Sequence, residues 1–229
     1  AALGADALLT AVDELLHERI FEEVDTPDGP AYVFTHPMLQ EMLYAELSRA
    51  RVRALHAGIA EALEAMYGDR ALANADDLAV HFRRAESPAQ AERAVRYLTA
   101  AGEIALGRGA QREAVESLTA ALALIDRSGA QETLDPVLDP VLDLLGRARH
   151  RLGDYPGAAA LWRRAITLAS ARGDLSRVAA LERRLGVVQL RQGDFPGALG
   201  HYDRGLEAAR LARDEGAEAG LHLARSAVL

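Results

Sequence analysis

The apolar residues of this chain fall mostly at helical intervals. Leu8, Val12, Leu15 and Leu16 form one stripe, and Val52, Leu55, Ile59, Leu63 and Met66 form another; steps of three and four residues put one side of a helix against a core. Between the two stripes the period changes. "RIFEEV" and "AYVFT" are short extended runs on either side of "DTPDGP", whose Pro, Asp and Gly predict a turn, so a β-hairpin is expected there. Pro37 then opens a helix at "HPMLQEMLY", because a first-turn proline gives up only an N–H that has no helical partner. Residues 75–102 read as a helix, a Ser-Pro turn and a second helix, with His81 packed beside Leu78 and Phe82 on the apolar face.

From here the chain repeats itself. "GDYPGAAALWRRA" (153–165) returns as "GDFPGALGHYDRG" (193–205), each preceded by a Leu-Gly pair, Leu145-Gly146 and Leu185-Gly186. A fainter copy runs through Ala101-Gly102, Gly109-Ala110, Ala114, Leu118 and Ala121. The physical reading is a helix pair joined by a short turn. Small residues such as Gly146, Ala158 and Ala165 admit close helix approach, Gly-Asp ends the first helix, and Pro156 and Pro196 suit the first turn of the second. Trp162 and Tyr202 are expected to fill the gap between neighbouring pairs. Such pairs bury their apolar faces only by stacking, which predicts a solenoid.

Over roughly residues 95–212 this pattern resembles the tetratricopeptide repeat. Arg149 and Gln189 stand where that family usually has an aromatic, and the copies are spaced by 44 and 40 residues instead of the usual 34. Extra residues are expected between pairs, around "RSGAQETLDPVLDP" and "SARGDLS", as longer second helices or loops. The order of hairpin, "FTHPMLQEMLY", "RVRALHAGIAEALE", "LAVHFRRA" and repeats also resembles the region after the nucleotide-binding module of STAND-class signalling ATPases, among them large LuxR-type (MalT-like) regulators. The expected fold is therefore mainly α, a tetratricopeptide-like right-handed α-superhelix preceded by a partial winged-helix region with one β-hairpin. Residues 1–68 are assigned to the winged-helix region. Residues 69–229 are assigned to the repeat array, with helix pairs at about 75–107, 95–128, 139–172 and 179–212 and a truncated pair after 215.

Composition narrows the chemistry. Half the residues are hydrophobic, few are aromatic, and the formal net charge is −8, which argues against direct nucleic-acid or anionic-membrane binding. Cysteine is absent and all 26 basic residues are arginine, so thiolate, Schiff-base and Walker A lysine chemistry are excluded within these residues. No run spans a bilayer and no basic-then-apolar signal opens the chain, so a cytoplasmic setting is expected. The start without Met and the end inside a helical pattern suggest a piece of a longer protein.

Catalytic patterns are lacking: there is no HExxH, no GxSxG and no paired histidines at a metal spacing, and "GRGAQR" (107–112) reads as a turn between helices. The chain is expected to be no enzyme and to need no cofactor or metal, with ATP or ADP implied only for a parent protein. The resemblance to STAND-class ATPases implies that His36, at the start of a helix after the hairpin, reaches the β-phosphate of ADP held by an upstream ATPase module in cis; the alternative is that it caps its helix. Thr35 and Pro37 replace the Met and Asp of that family's motif.

The tetratricopeptide resemblance implies a concave groove lined by the first helix of each pair, and counting from the Leu-Gly pairs puts Asp143, Arg147, Arg151, Arg183, Val187 and Arg191 there, with His150 alongside. Either these arginines receive an anionic ligand, acidic peptide or acidic surface, or they pair with nearby Asp and Glu. The expected role is the sensor or scaffold arm of a signalling ATPase or transcription regulator, binding a protein or peptide partner or an anionic small-molecule inducer, with oligomerisation possible. Alternatives are a regulatory segment of a multidomain nucleotide cyclase or kinase, and a stand-alone peptide-binding adaptor.

Overall fold

The computed structural model describes residues 5–26, 29–128 and 131–228. Among these, eleven α-helices follow or flank one hairpin, and the chain divides into two compact units between Leu55 and His56.

The first unit holds α1 (Ala5–His17), the strands β1 (Phe21–Thr26) and β2 (Gly29–Phe34), α2 (Pro37–Glu46) and the start of α3 (Arg49–Tyr67). The strands pair antiparallel with Phe21 opposite Phe34, and these two rings meet edge to face at 4.7 Å. The expected turn extends less far than "DTPDGP": Thr26, Gly29 and Pro30 belong to the strands, and Pro27-Asp28 lie outside the described residues. Thr35 closes the hairpin base, its N–H donating to the Ile20 carbonyl at 3.0 Å and its hydroxyl to that of Arg19 at 2.7 Å. No residue from 6 to 26 or from 29 to 55 is buried.

The second unit carries the core. It runs through the rest of α3, α4 (Ala75–Ala85), α5 (Ala91–Arg108), α6 (Gln111–Ser128), α7 (Gln131–Arg151), α8 (Tyr155–Ala171), α9 (Leu175–Arg191), α10 (Phe195–Ala212) and α11 (Glu215–Ser226). From α4 to α11 each helix packs on the next. In α5 and α6 the buried positions Ala94, Leu98, Ala101, Ala105, Ala114, Leu118 and Ala121 recur every three or four residues, as stacking requires.

The turns show how the sequence sets this geometry. Gly153 (φ 82°), Gly173 (φ 71°), Gly193 (φ 80°) and Arg213 (φ 57°) stand at twenty-residue steps in the left-handed region. Each is followed by an Asp that caps the next helix: Asp154, Asp174, Asp194 and Asp214 accept from the N–H groups of Gly157, Arg177, Gly197 and Ala217 at 2.9–3.0 Å. "SARGDLS" is thus the same tight junction as the other turns, with no inserted loop. The forty-residue period comes from helices of 17 and 18 residues, longer than a 34-residue repeat accommodates.

At "RSGAQETLDPVLDP" residues 129–130 lie outside the described residues, and α7 extends back to Gln131 through Pro136 and Pro140. Prolines four apart remove N–H groups on a single side of the helix, and both are exposed, so water can satisfy the freed carbonyls.

Trp162 and Tyr202 fill gaps within pairs, which corrects the expectation that they lie between them. Gly146 on α7 faces the Trp162 ring of α8, and Gly186 on α9 faces the Tyr202 ring of α10; a Cβ at either glycine would overlap the ring. Gly102 and Leu118 repeat the contact in α5 and α6. The partner always lies sixteen residues beyond its glycine, which is how the weaker first copy keeps the register without an aromatic.

His81 has a partner that its place in the pattern did not show. Its Nδ1 lies 2.9 Å from Nδ1 of His56 on α3, so one ring donates and the other accepts. Burial first, then His81 and Arg84, lower the pKa of His56; burial first, then Arg84, lower that of His81, against the opposing pull of Asp77. The pair is neutral in the fold, and the unfolded chain binds more protons. Stability from it is complete above the ordinary imidazole value of about 6.5 and is lost as pH falls through the lowered folded values. The melting temperature should fall between pH 7 and pH 5.5, and His81→Gln should flatten that fall; an unchanged slope in the variant would contradict the assignment.

Candidate binding cleft between helices α7 and α9

Arg147 and Arg151 lie one turn apart on α7, with His150 between them; Arg183 and Val187 have the same spacing on α9. The two helices bring these five residues together with Arg184 around a cleft of about 420 Å³, into which Trp162 of α8 also reaches. Of the residues expected in a groove, Arg147, His150, Arg151 and Arg183 line this cleft. Arg191 does not; it lies in the last turn of α9 and acts on His150 only through its charge.

Asp143 corrects the groove count. It is 7% exposed, and its Oδ1 accepts from Trp162 Nε1 at 3.1 Å. Arg184 reaches the same oxygen at 3.0 Å, and Arg177 lies 3.6 Å from Oδ2 while donating to Asp139 at 2.9 Å. These ion pairs tie α9 to α7. Arg184 also lies 5.7 Å above the Trp162 ring centroid, a cation–π position. Burial above all, aided by Arg147, Arg177 and Arg183 and opposed by Asp143, holds its pKa below the ordinary arginine value. Neither Trp162 nor Arg184 was placed at the cleft by the sequence. The signal present in it was the Arg183-Arg184 doublet, which on a helix must point to two adjacent directions.

The other arginines are differently placed. Arg151 donates to the Leu106 carbonyl at 2.9 Å, which positions its guanidinium without neutralising it. Among the described residues, Arg147, Arg183 and Arg191 have no carboxylate at ion-pair distance. The alternative that these three are paired internally is not what the geometry shows; Arg184 is the cleft arginine that is paired.

His150 packs against Tyr155 and Trp162, with ring centroids 5.4 and 5.9 Å away. Burial, followed by Arg191, Arg151 and Arg184, lowers its pKa, so it adds no charge near pH 7. Its Nε2 is buried without a hydrogen-bond partner. The cleft is therefore a cationic surface over an aromatic floor, suited to carboxylate or phosphoryl oxygens. Among the described residues no group of three or more His, Asp or Glu is arranged to hold a metal ion, and no helix is long and apolar enough to cross a membrane.

His36 is exposed at the N-cap position of α2, and its side chain makes no capping hydrogen bond. Pro37 follows at the first turn. "GRGAQR" forms the end of α5, the Gly109 turn and the start of α6.

Residues 140–210 match the tetratricopeptide-repeat family model, and the helix pairs within them are of that type. An uncharacterized protein of Rhizobium meliloti (strain 1021) is 30% identical over 143 residues, covering 62% of this chain. The chain spans only 14% of that protein's length. Aspartyl phosphate phosphatase F from Bacillus subtilis has a similar fold, with a TM-score of 0.56 at 14% identity, over 83% of this chain and 48% of that one.

Proposed function

We propose that this chain is a protein-interaction module whose α7–α9 cleft receives an acidic segment of a partner protein. Tetratricopeptide-type repeats support a binding or scaffold role, and one observation carries the polarity of the ligand. Arg147 and Arg183 line a cleft with no carboxylate at ion-pair distance among the described residues, in a chain of net charge −8. Guanidinium groups left unpaired in a protein rich in carboxylates favour an external oxyanion, and their planar donors bind carboxylates bidentately. The stand-alone adaptor reading needs nothing more. The arm of a signalling ATPase could use the same cleft, but neither Arg147 nor Arg183 depends on an upstream module or on His36.

Fluorescence anisotropy with a labelled octa-aspartate peptide tests the reading. The peptide should bind, a Gly/Ser peptide of equal length should not, and Arg147→Ala with Arg183→Ala should weaken binding at least tenfold, with the salt dependence reduced. Equal affinity of the wild type and the double variant, both folded by circular dichroism, would rule the cleft out.

A further inference from the structure

We propose that the ligand is bipartite, and that an extended segment places an apolar side chain in a second cleft between α5 and α7 while its acidic group, about five residues away, occupies the arginine cleft. This rests on the reading of the arginine cleft given above and adds a subsite to it. The second cleft encloses about 590 Å³, with Leu72, Ala100, Ile104 and Val137 as its apolar lining. Leu72 is 44% exposed, and Ala100, Ile104 and Val137 are each only partly buried. The apolar side chains therefore still face solvent.

One helix connects the two clefts. Val137, Leu144 and Arg151 follow at seven-residue steps along α7, close to two full turns, so they share a face. Val137 opens the apolar cleft and Arg147 and Arg151 belong to the cationic one. Ten to fourteen residues of helix at about 1.5 Å each put roughly 15–21 Å along the α7 axis between Val137 and the two arginines. An extended peptide advances about 3.3 Å per residue, so five or six residues cover the distance.

Charge fixes the direction of seating. Glu92 and Glu103 border the apolar cleft with Arg96, whereas every ionisable group lining the other cleft is an arginine or His150. An acidic group is repelled from the first and held by the second, while an aliphatic side chain gains only where Leu72, Ile104 and Val137 can cover it. The occupant consistent with both is a peptide segment with one large aliphatic residue spaced from an acidic cluster. Octa-aspartate would occupy half of the surface.

The test uses labelled peptides containing a leucine, four Gly/Ser residues and an Asp-Glu-Asp triplet, in both chain orders, against peptides with serine for leucine. The leucine peptide in one order should bind at least tenfold tighter than its serine counterpart. Leu72→Ser and Ile104→Gln should erase that advantage while the serine peptide keeps its affinity, and shortening the spacer to one residue should also erase it. Leu72 lies on the surface, so Leu72→Ser is the variant that keeps the fold, checked by its melting curve. If the serine peptide binds and leucine adds nothing in either order, or if its advantage survives Leu72→Ser, the second subsite is refuted and the arginine cleft stands. If neither peptide binds, both readings fail.

Discussion

Trp162→Ala is expected to destabilise the repeat unit by about 4 kcal/mol, within the range for removing a large aromatic from a core. The ring is 3% exposed and occupies the space that Gly146 leaves open between α7 and α8. Because that glycine has no side chain, the cavity created by the substitution has few atoms able to collapse into it. The loss also removes an N–H donor to the buried Asp143. Chemical denaturation followed by circular dichroism would measure the effect, since Trp162 is the only tryptophan and its fluorescence disappears with it. A midpoint equal to that of the wild type would mean that α8 is seated in another register.

Asp143→Ala should cost about 3–5 kcal/mol, as breaking a buried ion pair on one side does, because the partner charges remain behind. Asp143 accepts from Trp162 and pairs with Arg184, with Arg177 nearby. Arg177 keeps Asp139, but Arg184 has no other ion-pair partner among the described residues and remains crowded by Arg147, Arg177 and Arg183. Asp143→Asn separates charge from shape: the amide oxygen can still accept from Trp162, so it should lose less than alanine and show a weaker dependence on salt. Comparable losses for Asn and Ala would show that charge neutralisation, and not hydrogen bonding to Trp162, dominates at this position. A loss below 1 kcal/mol for Ala would overturn the role assigned to Asp143.

Counting positions along the groove treats Asp143 and Arg147 alike, since they lie one turn apart on the first helix of a repeat. They differ because Asp143 meets the next helix pair through Arg177 and Arg184, whereas Arg147 faces the opening between the pairs. The cationic character of the cleft follows from that difference. Carboxylates of α7 are consumed in holding α9, and Arg147 and Arg151 beyond them are left with no ion-pair partner among the described residues.

Some of this was readable directly. The helical period, Gly-Asp followed by proline and the alternation of small and large residues express local chemistry: a left-handed glycine ends a helix, an aspartate caps the next, and a missing side chain admits a ring. At 173–174 the same chemistry makes a tight junction, so of the two expectations for "SARGDLS" it is longer helices, and not a loop, that take up the extra residues; at 213–214 an arginine in the glycine position conceals the signal. The offsets that brought Arg147, His150, Arg151 and Arg183 to one cleft are equally local, because they follow from the turn of two helices.

Pairing across helices was a different matter. His56 and His81 are 25 residues apart, and Arg177 reaches Asp139 over 38. Nothing in the intervening sequence specifies which rotamers converge, since each arginine could have met any carboxylate on the same flank. The local sequence determined that helix pairs would form and stack. Only the stacked structure decided which charges neutralise one another and which remain for a ligand, because ion pairing depends on distances across neighbouring helices that a periodic pattern does not contain.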